Sequence, residues 1–80
     1  MDKIKKHIKR LTRRKRDLVE LCITDILARQ FGGYNLKKLR GHHFLYRIRI
    51  EDQRIIFYMD NTVVLIKDID TRNDNTYKNL

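Results

Sequence analysis

The hydrophobic pattern of this 80-residue chain changes period once, and that change restricts the fold more than any other feature. Between Lys3 and Phe31 apolar residues recur at helical spacing. Ile4, Ile8 and Leu11 share one face; Leu18, Leu21, Cys22 and Ile26 share another, with Val19, Ile23 and Leu27 beside them. Thr12 stands between the two stretches as a break or N-cap, which predicts two helices, arranged as an antiparallel pair. Phe31-Gly32-Gly33-Tyr34 is expected to end the second helix, because glycine accepts the left-handed conformation favoured at a helix C-terminus.

After Gly41 the period falls to two. Phe44, Tyr46, Ile48 and Ile50 alternate with Leu45, Arg47, Arg49 and Glu51, as in a half-buried strand. Glu51-Asp52 turns the chain into a strand over Gln53 to Met59, and Asp60-Asn61 turns it into another over Thr62 to Ile69. Val63-Val64-Leu65-Ile66 is apolar on both faces and reads as a central, doubly covered strand. The expected fold is α+β: two N-terminal helices packed on a small antiparallel sheet, a three-stranded meander. Without proline, low-complexity tract or repeat, the pattern offers no linker, so residues 1–80 read as one domain.

Register follows from burial, because a slip of one residue would send an entire apolar set to the wrong face. Ile48 and Ile50 must share the buried side with Ile55, Phe57 and Met59. Arg47 and Arg49 then lie opposite, with Arg54, Ile56 and Tyr58. Residues two apart on a strand are separated by about 7 Å and adjacent strands by about 5 Å, so the three guanidinium groups are expected within reach of one phosphodiester. The competing reading is a solvated face whose arginines are balanced by Glu51 and Asp68. Against it, like charges on neighbouring strands destabilise a sheet, and arginine suits bidentate phosphate recognition.

Charge favours the same partner. Nineteen Lys and Arg against ten Asp and Glu give a net charge of +9, which points first to nucleic acid. Nine of the basic residues fall within the first sixteen, including Arg13-Arg14-Lys15-Arg16, but no aromatic residue interrupts them. That segment supports electrostatic attachment and no base stacking. The longest apolar run is far short of the roughly 20 residues of a membrane span, and MDKIKKHIKR has no signal-peptide core, so a cytoplasmic protein is expected. Cys22 is alone and reads as a small core residue; His7 has no partner at metal spacing, and His42 and His43 precede the first strand.

Four segments carry a family resemblance: Leu36-Lys37-Lys38-Leu39-Arg40-Gly41, Tyr46-Arg47-Ile48-Arg49-Ile50, Arg54-Ile55-Ile56-Phe57-Tyr58, and Asp70-Thr71-Arg72 followed by Tyr77. The series resembles the RelE/ParE superfamily of bacterial and archaeal toxin–antitoxin toxins. The resemblance implies a small antiparallel sheet with helices on one face. The family's usual first strand, ahead of the first helix, is missing from this pattern. It further implies a type II toxin, an mRNA interferase acting as a ribosome-dependent endoribonuclease without metal or other cofactor. In that chemistry the ribose 2′-hydroxyl attacks the neighbouring phosphate of messenger RNA in the ribosomal A site.

Carried onto this chain, the catalytic set is Arg47, Arg49, Arg54, Arg72 and Tyr77. Arg47 and Arg54 would hold the phosphate, Arg49 and Arg72 would stabilise developing charge, and Tyr77 would orient or deprotonate the 2′-hydroxyl. Lys37, Lys38, Arg40 and His43 are assigned to RNA binding around that set. An acidic antitoxin is the implied partner. Arg47 and Arg49 stand where the family has lysines and are poor proton carriers, which implies weak activity. The alternatives are a ParE-like toxin that inhibits DNA gyrase and a catalytically inactive basic RNA-binding module.

Overall fold

The computed structural model describes residues 2–72, which form helices α1 (Lys3–Arg10) and α2 (Arg13–Leu27) followed by strands β1 (Leu36–Lys38), β2 (Leu45–Ile50), β3 (Gln53–Met59) and β4 (Val64–Thr71). Thr12 is the N-cap of α2, its side chain accepting from the Lys15 amide at 3.3 Å. The helix ends earlier than the glycines suggest. Ala28 is the C-cap and Arg29 takes φ 59°, with the amides of Arg29 and Gln30 bonded to the carbonyls of Ile26 and Asp25 at 3.0 and 2.8 Å. This is the paired hydrogen-bond pattern of a Schellman cap, so Arg29 and not Gly32 or Gly33 provides the left-handed residue. Arg29 is held there by its own guanidinium, which donates to the Asp60 carbonyl at 2.7 Å and ties the end of α2 to the β3–β4 turn.

The sheet is four-stranded and antiparallel in the order β1-β2-β3-β4, which corrects the expected three-stranded meander. The added strand is β1, whose Leu36, Lys37 and Lys38 pair with Ile48, Arg47 and Tyr46. Three residues are too few to display alternation, and two of them are lysines, so the segment looks like a charged loop until β2 is beside it. The place of β4 is also corrected. Among the described residues it is an edge strand, and helices cover one face of the sheet, which leaves Leu65 51% exposed.

The β2–β3 register is the one burial demands: Ile48 faces Ile55, Arg47 faces Ile56 and Arg49 faces Arg54. Val19, Cys22 and Ile26 of α2 close over Ile48, Ile55, Phe57 and Ile69, with Ile4, Ile8 and Leu11 packed against the rim. Leu21, expected inside, is 57% exposed; the buried stripe of α2 runs through Val19, Cys22, Ile23 and Ile26 instead. Burial pushes the Cys22 thiol up to about 12, as suits a packing residue and not a nucleophile.

One irregularity decides what the far end of the sheet presents. Ile56 pairs with Asp68 but Phe57 pairs with Ile66, so Lys67 is an extra residue in β4. Ile66 and Ile69 are three apart and could not both point inward on a regular strand; the bulge allows it. The same shift sends Asp68 and Asp70 to the face opposite the helices.

Candidate nucleic-acid interface

The helix-free face is organised in three rows that run across the strands. Leu45, Tyr58 and Leu65 form the first, Lys37, Arg47, Ile56 and Asp68 the second, and Arg49, Arg54 and Asp70 the third. Successive rows are about 7 Å apart. The face therefore grades from apolar at one end to charged at the other.

Arg47, Arg49 and Arg54 come together as the register requires, but their environments differ. Arg54 lies against Asp70, its Nε and Nη2 donating to the two carboxylate oxygens at 3.1 and 2.8 Å. Asp70 was not among the acidic residues expected to balance the face. Of Glu51 and Asp68, which were, Glu51 pairs instead with Arg14 of α2, and Asp68 keeps its place in the second row, where it also lies 3.6 Å from Lys3 of α1. Arg49 is exposed and Arg47 half-buried. Lys37 joins them from β1, opposite Arg47, whereas Lys38 pairs with Tyr46 and belongs to the other side of the sheet.

Arg72 follows β4 and its amide donates to the Asp52 carbonyl at 2.6 Å. This brings Arg72 to a small cleft that it lines with Arg49, Glu51 and Asp52, beside the third row. Tyr77 lies outside the described residues. Arg40 and His43 line a separate cleft with Lys38, Gly41 and His42 in the β1–β2 connection, at the apolar end of the face. The structure thus gathers Lys37, Arg47, Arg49, Arg54 and Arg72 and sets Arg40 and His43 apart from them.

The charged end is braced from behind. Arg13-Arg14-Lys15-Arg16 put positive charge at the positive end of the α2 dipole, an unfavourable arrangement on its own. The β2–β3 turn offsets it by bringing Glu51 to Arg14 and Asp52 to Lys15, the latter at 2.8 Å. Glu51 occupies the left-handed region at φ 54° while doing so. Beneath the turn Gln53 is buried and its amide is fully used: the His7 Nε2–H donates to Oε1 at 2.7 Å, and Nε2 donates to Asp52 and Thr71 at 2.9 Å each. Nothing in the sequence pairs His7 with this glutamine, because a histidine on a helix carries no sign of a partner 46 residues away.

Hydrogen bonds from Lys15 and then Gln53 hold the Asp52 carboxyl below its usual range. Its folded-state pKa is depressed, so its contribution is present above the unfolded value of about 4 and is lost as pH falls through the lower folded value. Denaturant midpoints between pH 6 and pH 2 are expected to fall toward acid in the parent protein. In Asp52→Asn the fall should be shallower, and an unchanged slope would mean the Lys15 and Gln53 contacts carry no stability.

A chain with this architecture is known. The structure is similar to a chain in the RelB-RelE antitoxin-toxin complex from Methanococcus jannaschii, with a TM-score of 0.71 and 21% identity over 94% of this chain and 89% of that one. The two chains share a fold. No protein-family model matches the sequence, and no curated protein matches it. Among the described residues, no helix is long and apolar enough to cross a membrane.

Proposed function

We propose that this protein is the toxin of a type II toxin–antitoxin pair and acts as a ribosome-dependent endoribonuclease on messenger RNA in the cytoplasm. The observation that carries the reading is the cationic end of the helix-free face, where Arg47, Arg49 and Arg54 sit on adjacent strands with Lys37 and Arg72 beside them. Its support is the fold shared with a chain of an antitoxin-toxin complex.

The chemistry asks little of such a site beyond positioning and charge. Attack of the ribose 2′-oxygen on the adjacent phosphorus forms a phosphorane, expels the 5′-oxygen, which takes a proton from water to become a hydroxyl, and leaves a cyclic phosphate. Negative charge grows on the phosphoryl oxygens and on the leaving oxygen, and fixed guanidinium donors stabilise both. Arg54, oriented by Asp70, presents a planar fork to the phosphate and holds it together with Arg47, and Arg49 and Arg72 neutralise the charge that develops beside it. Arginine remains protonated throughout and takes no proton from the 2′-hydroxyl; Tyr77 is proposed either to orient that hydroxyl or, as its phenolate, to accept the proton. Such a site needs no metal. An acidic antitoxin segment laid over the arginines would silence it.

Translation extract programmed with a defined message tests the proposal. Codon-positioned cuts ending in cyclic phosphate are expected. Intact message together with DNA breaks would move the protein to the gyrase-inhibiting branch of the same scaffold. Salt-sensitive RNA binding without cleavage would leave a binding module.

A further inference from the structure

The apolar end of the helix-free face has no part in the chemistry proposed above, and it is built in a way that calls for an occupant. Phe44 is 48% exposed and Leu65 51%, on a chain in which 36% of residues are charged. The Phe44 ring lies 5.6 Å from that of Tyr58, centroid to centroid, inclined at 54°, and the His43 ring lies 6.3 Å beyond Phe44 at 51°. Leu45 and Leu65 flank Tyr58 on the neighbouring strands.

Tyr58 is fixed in place. Its hydroxyl donates to Asp60 Oδ2 at 2.6 Å, and Oδ1 of the same carboxylate accepts from the amides of Thr62 and Val63 at 2.8 Å each. A surface that is already ordered loses little side-chain freedom on binding, the usual condition for a stacking platform. The platform is one row, about 7 Å, from Arg47 and two rows from Arg49 and Arg54, on the same two strands. A polymer lying along β2 and β3 would meet aromatic rings first and guanidinium groups next.

We propose that Phe44 and Tyr58 form a stacking subsite for one unpaired base of a single-stranded RNA whose phosphates run on over Arg47 and Arg49. The proposal rests on the reading of this face as RNA-binding and adds the element that arginines cannot supply, contact with a base. Phosphate contacts set position and carry no sequence information, whereas stacking on aromatic and histidine rings engages the base itself. An unpaired strand fits better than a duplex, because only unstacked bases offer their faces to a protein ring. Two adjoining rings and an adjacent cationic row favour a nucleotide over an apolar protein segment, for which the arginines would be a poor continuation.

The test uses a short single-stranded RNA, 2′-O-methylated so that it cannot be cut, with one 2-aminopurine moved along its length. Fluorescence quenching at one position is expected with the parent protein. Phe44→Ala should abolish that quenching and weaken binding roughly 5- to 150-fold, the range seen when one stacked base loses its ring. The slope of affinity against salt should stay the same, and Phe44→Tyr should restore quenching. Phe44 is half-exposed, so the alanine variant is expected to fold, which circular dichroism checks. Equal binding by Phe44→Ala, or by an oligonucleotide abasic at the quenched position, overturns the subsite. If Phe44→Ala instead weakens only the hold of a protein partner, the platform is a protein dock and the proposal is wrong. Failure of the wider reading looks different: no oligonucleotide would bind, or Arg47→Ala/Arg49→Ala would leave affinity and salt slope untouched.

Discussion

Replacing Phe57 by alanine is expected to destabilise the protein by about 3–5 kcal/mol, the range for removing a fully buried aromatic ring. Phe57 has no exposed surface and its ring lies between two others, 5.9 Å from Phe31 and 5.8 Å from Tyr46, with interplanar angles of 9° and 22°. It sits on β3, paired with β2 on one side and with β4 at the bulge on the other. The flanking rings are held on separate parts of the chain, Tyr46 on β2 and Phe31 after α2, which limits how far they can close on the space. Domains of this size have total stabilities of about 5–15 kcal/mol, so the loss is a large share of the whole. Each kcal/mol should lower the melting temperature by about 4–8 °C. Urea unfolding monitored by circular dichroism reads the effect. A midpoint shift worth under about 1 kcal/mol would show that the core repacks around the gap.

Arg54→Ala is expected to lower message cleavage by about 10²–10³-fold, the usual loss when one preorganised donor to a developing oxyanion is removed. Stability should hardly change. The Arg54–Asp70 pair is partly open to solvent, with side chains 33% and 41% exposed, and pairs of that kind contribute about 0–1 kcal/mol. Arg54→Lys keeps the charge and loses the planar fork that Asp70 aligns, so it should recover part of the rate and not all of it. Rates from single-turnover cleavage, set beside unfolding midpoints for the same variants, separate the two effects. Full-rate cutting by Arg54→Ala would remove Arg54 from the chemistry.

The parts of the site that were legible lay on strands long enough to show a period. Six residues of β2 and seven of β3 alternate clearly, and burial of Ile48, Ile55 and Phe57 leaves one register for both. The convergence of Arg47, Arg49 and Arg54 follows from that register alone. β1 was hidden by its shortness, and with it the place of Lys37 opposite Arg47. Asp70 was hidden by the bulge at Lys67, although Ile66 and Ile69, two apolar residues at a spacing no regular strand can bury, marked the irregularity. The end of α2 was misplaced because Arg29 adopts a backbone conformation that composition assigns to glycine.

The sequence by itself determined the two helices, the Thr12 cap, the pairing of β2 with β3 and the cationic side of that hairpin. Each of these depends on neighbours along the chain or on a single hairpin, where periodicity and burial act directly. Only the tertiary structure decided that Asp70 holds Arg54, that Glu51 and Asp52 serve the N-terminus of α2, that β4 is an edge, and that Phe44 meets Tyr58. The physical reason is common to all four. Alternation along a strand tells which face a side chain takes but not which strand lies beside it. An ion pair or ring contact between distant segments forms only after the core has set where those segments end.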